Sequence, residues 1–342
     1  MKTERQWQVQ FLSLDLQGKN LPFGLLKMLS YPSKGVVMET SRREFLVSAG
    51  AFGAFAAVRL HGAVPDAGEP LVRFGLVTDV HYADKDPDPK PCGVVGRRFY
   101  RESLRKLDAA VAVFNARHLD FAIELGDFKD LTGGRDETLA RLDAVERSFA
   151  AFRGPRYHVL GNHDFDCLTE ADFYAHVSNA GRPMERGYYS FEVKGVKFIV
   201  LDACYDSKLR HYSRNNPWND ANVPPEELKW LERELESAKA PAVVFCHQRL
   251  DSSAEPRHLV RNAAEIRGIL EKSGKVKVVF TGHQHLGSFM VQNGISYYSL
   301  VALVCDSGAN ANSFAEAAIR ADGSFSVTGW KNAVSYDAEK GV

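Results

Sequence analysis

Short apolar runs alternate with amphipathic stretches from residue 71 onward. "LVRFGLVTD" (71–79) and "LDFAIELGD" (119–127) have the continuous apolar character of buried strands, and "RYHVLGNHD" (156–164), "APAVVFCH" (240–247) and "KVKVVFTGH" (275–283) read as further strands. Between them, residues 97–118 predict a helix with Leu104, Leu107, Val111 and Phe114 on one face. Helices are also predicted over 136–152, over 224–238 with Pro and Glu in its first turn, and over 259–272. "GYYSFEVKG" and "VKFIVLDAC" predict an antiparallel pair turning at Lys194-Gly195. Beyond residue 288 the pattern alternates and turns at Asn-Gly and Asp-Gly, which is hairpin chemistry. The chain therefore starts α/β and ends β-rich, with no internal repeat, and predicts one domain over residues 68–335.

Ahead of this domain lies the apolar run Phe45–Val58, bounded by Arg43 and Arg59. A membrane-spanning helix needs about 20 apolar residues. This run is shorter and rich in Gly and Ala, which fits the core of a signal peptide. Ser41-Arg42-Arg43-Glu44-Phe45-Leu46 resembles a bacterial twin-arginine export signal. That resemblance implies a signal peptide and linker over 38–67, cleaved after Ala63 or Ala67, and the twin-arginine export machinery as a partner. It also implies a periplasmic or otherwise exported product with no stable membrane span after processing. Residues 1–37 are then expected to be an upstream extension ahead of a true start at Met38.

Composition adds exclusions. The 342 residues are 45% hydrophobic and 25% charged with zero formal net charge, so no basic excess marks a nucleic-acid or membrane-surface binder. Loss of the leader removes more Lys and Arg than Asp and Glu. The mature chain is then acidic, and no nucleic-acid partner is expected. Five cysteines (Cys92, Cys167, Cys204, Cys246, Cys305) lack CxxC spacing, which excludes a zinc-finger pattern and a disulfide framework. The odd count leaves at least one free thiol in a monomer.

Each of five polar clusters follows an apolar strand: "TDVH" (78–81), "GDFKD" (126–130), "GNHD" (161–164), "CH" (246–247) and "GHQH" (282–285). Ligands of open α/β sheets bind beyond the carboxyl ends of the strands. Strand-end loops at one sheet edge are therefore expected to gather Asp79, His81, Asp127, Asn162, His163, His247, His283 and His285. Their imidazole, carboxylate and amide groups suit two divalent transition metal ions, with Mn, Fe and Zn as candidates. Alternation along an extended "DVH" or "HQH" would point two side chains the same way. Glycines before Asp127, Asn162 and His283 permit close backbone approach. A single His is more often a surface or satisfied core residue; five clusters in order, each after a strand, are not explained that way.

This ordered set resembles the calcineurin-like metallophosphoesterase family, whose pattern is D-x-H, G-D-x-x-D/N, G-N-H-D/E, an isolated His and G-H-x-H. The resemblance covers about residues 71–330. It implies an α/β fold, the four-layer α-β-β-α sandwich of the metallo-dependent phosphatases, with a dinuclear metal centre between strand ends. It further implies that Asp79, His81 and His285 hold one metal, that Asn162, His247 and His283 hold the other, and that Asp127 bridges them, with Asp130 behind the ligands. Two ions about 3.5–4 Å apart clamp a phosphate and activate water to hydroxide. His163 is the candidate general acid, and Asp164 its candidate orienting partner or else a turn cap. Phe128-Lys129-Asp130 lacks the Tyr expected of a purple acid phosphatase.

"RRFYRESL" (97–104) and "PPEELKWLERELESAKAPAVVFCH" (224–247) resemble the manganese-dependent ADP-ribose/CDP-alcohol diphosphatases, although His81 stands where that group carries Gln. The expected activity is hydrolysis of phosphodiester or pyrophosphate bonds in a small phosphorylated substrate. Phosphomonoester hydrolysis is the alternative, and a non-catalytic scaffold is the alternative of another class. Candidate substrate contacts are Arg97, Arg98, Arg101, Arg210, His211 and Arg214, with the insertion 205–223 as a pocket rim. Cys246 is expected to face away from His247 into the core.

Overall fold

The computed structural model describes residues 8–9, 69–88, 92, 96–239, 241–308 and 310–337. Apart from a two-residue strand at Gln8–Val9, the upstream extension and signal peptide expected over residues 1–67 lie outside the described residues.

Strands β1 (Val72–Val77), β2 (Phe121–Glu124) and β3 (Arg156–His158) lie side by side and parallel, with helices α1 (Ser103–Ala116) and α2 (Arg135–Phe149) in the connections. The next segment builds a second sheet from β4 (Tyr189–Val193), β5 (Val196–Val200), β6 (Ala242–Phe245), β7 (Val276–Thr281), β8 (Ser288–Gln292) and β9 (Ile295–Ser299). Helices α3 (Pro225–Ser237) and α4 (Ala263–Ser273) lie in its crossovers. Its order is β8-β9-β7-β6-β5-β4, with Gln8–Val9 beyond β8, and the β9, β7, β6 and β5 neighbours are parallel. The chain then returns to the first sheet. There β10 (Ser313–Ile319) pairs antiparallel with β1, followed outward by β11 (Phe325–Lys331) and β12 (Tyr336–Asp337).

Three apolar cores separate four layers. Phe74, Phe121, Phe198, Phe245 and Phe280 fill the space between the sheets, with Phe74 stacked on Phe121 at 4.7 Å and edge-on to Phe198 at 5.5 Å. Leu107, Val111 and Phe114 of α1 and Leu142 and Phe149 of α2 cover the outer face of the first sheet. Gly75 makes that packing possible, because a Cβ there would come within 2.6 Å of the Phe114 ring. Leu228 and Leu231 of α3 and Ile266 and Leu270 of α4 cover the other sheet, and Cys246 is buried in this layer. The architecture is the expected α-β-β-α sandwich. Among the described residues no helix is long and apolar enough to cross a membrane.

Two predicted elements are shorter in the fold. Residues 97–118 become helical only at Tyr100, as a 3-10 turn before α1. Arg97–Phe99 instead pair with the 304–306 segment, through Phe99 N to Val304 O at 2.9 Å and Asp306 N to Arg97 O at 3.0 Å. The third strand stops at His158, and Asn162–Phe165 form a 3-10 turn that carries site residues.

Candidate metal centre

The site is shared between the sheets, not built on one sheet edge. Loops after β1, β2 and β3 supply Asp79, His81, Asp127, Asn162 and His163, and loops after β6 and β7 supply His247, His283 and His285. Parallel strands put all these loops at carboxyl ends. The pairing of side chains within "DVH" does not come from strand alternation. Asp79 (φ 50°) and His81 (φ 45°) both stand in the left-handed region, as do Asp127 (φ 56°) and His283 (φ 63°). Four non-glycine residues in this region at one point mark a backbone held against its own preference by its surroundings. Glycines let the loops touch: a Cβ at Gly161 would stand 2.2 Å from Asp127 N, and one at Gly282 2.0 Å from Thr78 Oγ1.

Each central carboxylate has one oxygen tied to the protein and one aimed inward. Asp79 Oδ2 accepts from Thr78 Oγ1 (2.7 Å) and His283 N (3.1 Å). Its Oδ1 is buried without a hydrogen-bond partner and faces His285 Nε2 at 3.3 Å and His81 Nε2 at 3.7 Å. Asp127 Oδ1 accepts from His163 N at 2.7 Å, while Oδ2 lies 3.5 Å from His81 Nε2 and 3.2 Å from His247 Nε2. Asp127 thus belongs to the Asp127/His247/His283 group of ligand atoms and also reaches His81 of the Asp79/His81/His285 group.

The imidazoles are oriented from behind. His247 Nδ1 donates to Leu125 O at 2.7 Å, and His81 Nδ1 to Asp130 Oδ2 at 3.2 Å. That leaves both Nε2 lone pairs turned inward, the arrangement of metal-ligating histidines. Asp130 is itself pinned by Lys85 Nζ at 2.7 Å, with Arg98 at 4.0 Å. His247 Nε2, both ring nitrogens of His283, and Asn162 Oδ1 are buried without hydrogen-bond partners. Orphaned polar atoms in a buried cage are costly unless a ligand satisfies them, and two divalent cations fit this donor set. Burial opposes charge on His247 and His285, yet Asp127 and Asp79 raise each to about 9, so a metal ion would have to displace a proton from each ring. Burial and neighbouring His247 hold His283 well below the usual imidazole range, in the neutral form that ligates.

His163 differs from these residues. Its Nδ1 bonds Asp166 Oδ2 at 2.6 Å, so its partner is Asp166 and not Asp164. Asp164 is fully buried and turned the other way. It accepts from the backbone N–H groups of Gly161 (2.8 Å), Phe128 (2.9 Å) and Asp127 (3.1 Å), clamping the "GDFKD" loop to the "GNHD" turn. Lys129 Nζ, also buried, donates to His163 O (2.5 Å) and Asp166 O (3.1 Å). Neither Asp166 nor Lys129 stood out in the sequence. A Lys inside an otherwise buried motif loop was the one available signal.

A cleft of about 680 Å³ opens onto Asp127, Asn162, His163, His283 and His285. Arg98, Trp218, Arg257 and His258 line its walls. Of the six basic residues expected to contact substrate, only Arg98 is there. Arg101 pairs with Asp84 and Asp86, Arg210 with Asp206, and His211 with Asp202 at 3.0 Å. Arg97 is exposed and does not line the cleft, and Arg214 is placed by backbone bonds from its N–H to Phe165 O and Leu168 O. The insertion 205–223 does reach the cleft, but through Trp218. Local opposite charges explain the exchange: an exposed Arg beside Asp is satisfied where it stands, whereas Trp218 has no such partner.

A family profile described as calcineurin-like phosphoesterase matches residues 72–287. A manganese-dependent ADP-ribose/CDP-alcohol diphosphatase of Oryza sativa subsp. japonica is 32% identical over 285 residues, covering 71% of this chain and 87% of that protein. The Arabidopsis thaliana protein of the same name is 30% identical, covering 71% and 89%. A crystal structure of a dimetal phosphatase from Danio rerio shares the fold with a TM-score of 0.69 at 21% identity, over 79% of this chain and 99% of that one. The profile spans the strands and loops that supply every ligand named above, and the chain belongs to the calcineurin-like phosphoesterase family as a metal-dependent hydrolase of phosphoric esters or anhydrides.

Proposed function

We propose that this hydrolase cleaves the pyrophosphate or phosphodiester bond of a small nucleoside-linked substrate of the ADP-ribose or CDP-alcohol class. The observation that carries this reading is the cleft. Its floor is the ligand cage, its wall holds Arg98 and Arg257, and its rim holds Trp218, 40% exposed and 5.5 Å from the His258 ring. Such a substrate joins two anionic phosphoryl groups to a flat base. The cage and Arg98 match the phosphoryl charge, with Arg257 held by Glu255 at 2.8 Å on the same wall, and an exposed indole is a stacking surface for the base. The volume lies within the range of small-molecule sites. The names of the rice and Arabidopsis relatives point to the same class.

Two divalent ions held by Asp79, His81 and His285 and by Asp127, His247 and His283 would supply Lewis acidity and the means to activate water. The protein's own residues fix the geometry. Asp79 and Asp127 each keep one oxygen committed to the backbone, so the inward oxygens cannot swing away. With Nδ1 held by Asp166, His163 has Nε2 left to give a proton to the departing oxygen. Burial works against its charged form, but Asp127 and Asp166 outweigh burial and raise it above the usual imidazole value. Asp164 and Lys129 keep the turn under His163 in register with Asp127.

A panel of p-nitrophenyl phosphate, bis-p-nitrophenyl phosphate, ADP-ribose, CDP-choline and cyclic AMP, each with Mn, Zn, Fe and Co, tests the substrate class. The expected result is the highest kcat/KM on ADP-ribose or CDP-choline. Preference for p-nitrophenyl phosphate would replace this reading with a phosphomonoesterase.

We also propose export by the twin-arginine route, supported by Arg42-Arg43 before the apolar run. Exchanging both for Lys should leave the product in the cytoplasm. Mass spectrometry of the unprocessed precursor should begin at Met38; peptides from residues 1–37 would refute that start.

A further inference from the structure

Behind the metal cage two thiols meet. Cys92 Sγ and Cys305 Sγ lie 2.6 Å apart, in residues only 7% and 1% exposed. His285 turns Nε2 toward Asp79 and Nδ1 toward this pair, 2.6 Å from Cys92 Sγ and 3.5 Å from Cys305 Sγ. Ala83, Tyr100, Ala302 and Val304 close an apolar shell around the sulfurs.

Cys92 pairs with Gly96, and the segment that follows Gly96 is fixed against the backbone of Cys305. Arg98 forms an antiparallel bridge with Cys305, flanked by the Phe99–Val304 and Asp306–Arg97 hydrogen bonds. On the far side Lys106, nearly fully buried, donates its ammonium to the carbonyls of Leu303 (3.0 Å), Cys305 (2.8 Å) and Asp306 (2.7 Å). Bonding the sulfurs needs no large backbone movement, the usual obstacle to a disulfide. Chelation fits less well. Two thiolates on one tetrahedral ion, each about 2.3 Å from it, stand about 3.7 Å apart.

We propose that Cys92 and Cys305 form a disulfide, a modification site that fastens the loop after β1 to the segment behind His285. Cys92 lines the cleft and Cys305 does not, so the exchange begins at Cys92. Its thiolate attacks one sulfur of a small-molecule disulfide such as oxidised glutathione, and the first external thiolate leaves. Cys305 then attacks the Cys92 sulfur and expels the second. The two protein thiols give up two electrons and two protons, and the external disulfide becomes two thiols. The bond joins positions 213 residues apart, so it encloses most of the domain and restricts its unfolded chain.

The test uses the full chain, equilibrated with oxidised or reduced glutathione, then denatured, alkylated and mapped without reduction. After oxidation, alkylation is expected only at Cys167, Cys204 and Cys246, with a cross-linked Cys92–Cys305 peptide. After reduction all five cysteines are alkylated. The oxidised protein should melt higher by roughly 5 °C or more, and Cys92→Ser and Cys305→Ser should each abolish that redox-dependent difference. Five alkylated thiols after oxidation, a cross-link to a different cysteine, or protection of the pair that a chelator removes would each overturn the proposal. The wild-type comparison needs neither variant to fold. It reads thiols without substrate, so its outcome is independent of the proposed hydrolysis.

Discussion

His163 and Trp218 separate chemistry from recognition in this site. His163 lines the cleft with one nitrogen held by Asp166; its ring lies near His81 and Asp130, outside the Asp79/His81/His285 and Asp127/His247/His283 groups. His163→Ala should therefore keep its metals while turnover falls by about 100-fold or more, the scale of a lost general acid. Metal analysis and kcat on one preparation check both halves, and unchanged turnover would sink the role. Asp166→Asn should lower kcat by a smaller factor, since it keeps a hydrogen-bond partner for Nδ1 but removes the charge that favours the protonated ring. Trp218 lies at the cleft beside the rings of His258 (5.5 Å) and His283 (5.7 Å), and base stacking is worth about 1–3 kcal/mol. Trp218→Ala should raise KM about tenfold for ADP-ribose or CDP-choline and leave a phosphodiester without any aromatic ring, such as glycerophosphocholine, almost unchanged. Equal effects on both substrates would remove the indole from base recognition.

At the level of elements, the insertion 205–223 presents Trp218 because its other end is anchored. His211 Nε2 bonds Asp202 Oδ2 at 3.0 Å, and the ring meets Phe165 edge-on at 4.8 Å. Burial opposes a charge on His211, but Asp202 and then Glu170 outweigh it and raise it to about 9. The unfolded value is the ordinary one, about 6.5. A folded value above the unfolded one contributes stability that is complete below about pH 6.5 and lost as pH rises through about 9. This group should thus add on the order of 3 kcal/mol of destabilisation between those limits. Denaturant melts of His211→Gln should show a flatter decline over that window; parallel curves for both proteins would refute the anchor. The sequence marked the insertion as a rim from its length and composition. It pointed to the wrong residues in it, because Arg210 and His211 find carboxylates within their own loop or the strand end beside it, and such pairs are set by the turn rather than by any period.

Across the whole molecule, the metal centre is where the sheets depend on each other. Alternating strands and helices, and a polar cluster at each strand end, were enough to give the sandwich and to name the seven candidate ligands that the fold gathers at one place. They were not enough to show that Asp79, His81, Asp127 and His283 leave the extended region, since left-handed backbone at Asp or His carries no period and is imposed by tertiary contacts. Nor could they show Asp166 replacing Asp164 beside His163, a choice made by the 3-10 turn at Asn162–Phe165. Those strained residues and the orphaned nitrogens of His247 and His283 are a standing cost to the fold. Ions that bind only the folded chain offset that cost through mass action, by about 2.7 kcal/mol for each ion present at 100 times its Kd. For a domain of this size, removing two such ions should lower Tm by roughly 10 °C or more. Ligands from both sheets sit in each group, because His285 joins Asp79 and His81 while Asp127 joins His247 and His283. An ion held by either group would therefore tie one sheet to the other, and stepwise titration of metal back into chelated protein should raise Tm at both the first and the second equivalent. A chelated protein shown to be metal-free that melts at the holoprotein temperature would mean that the sheets hold together without the centre and that the strain is carried by packing alone.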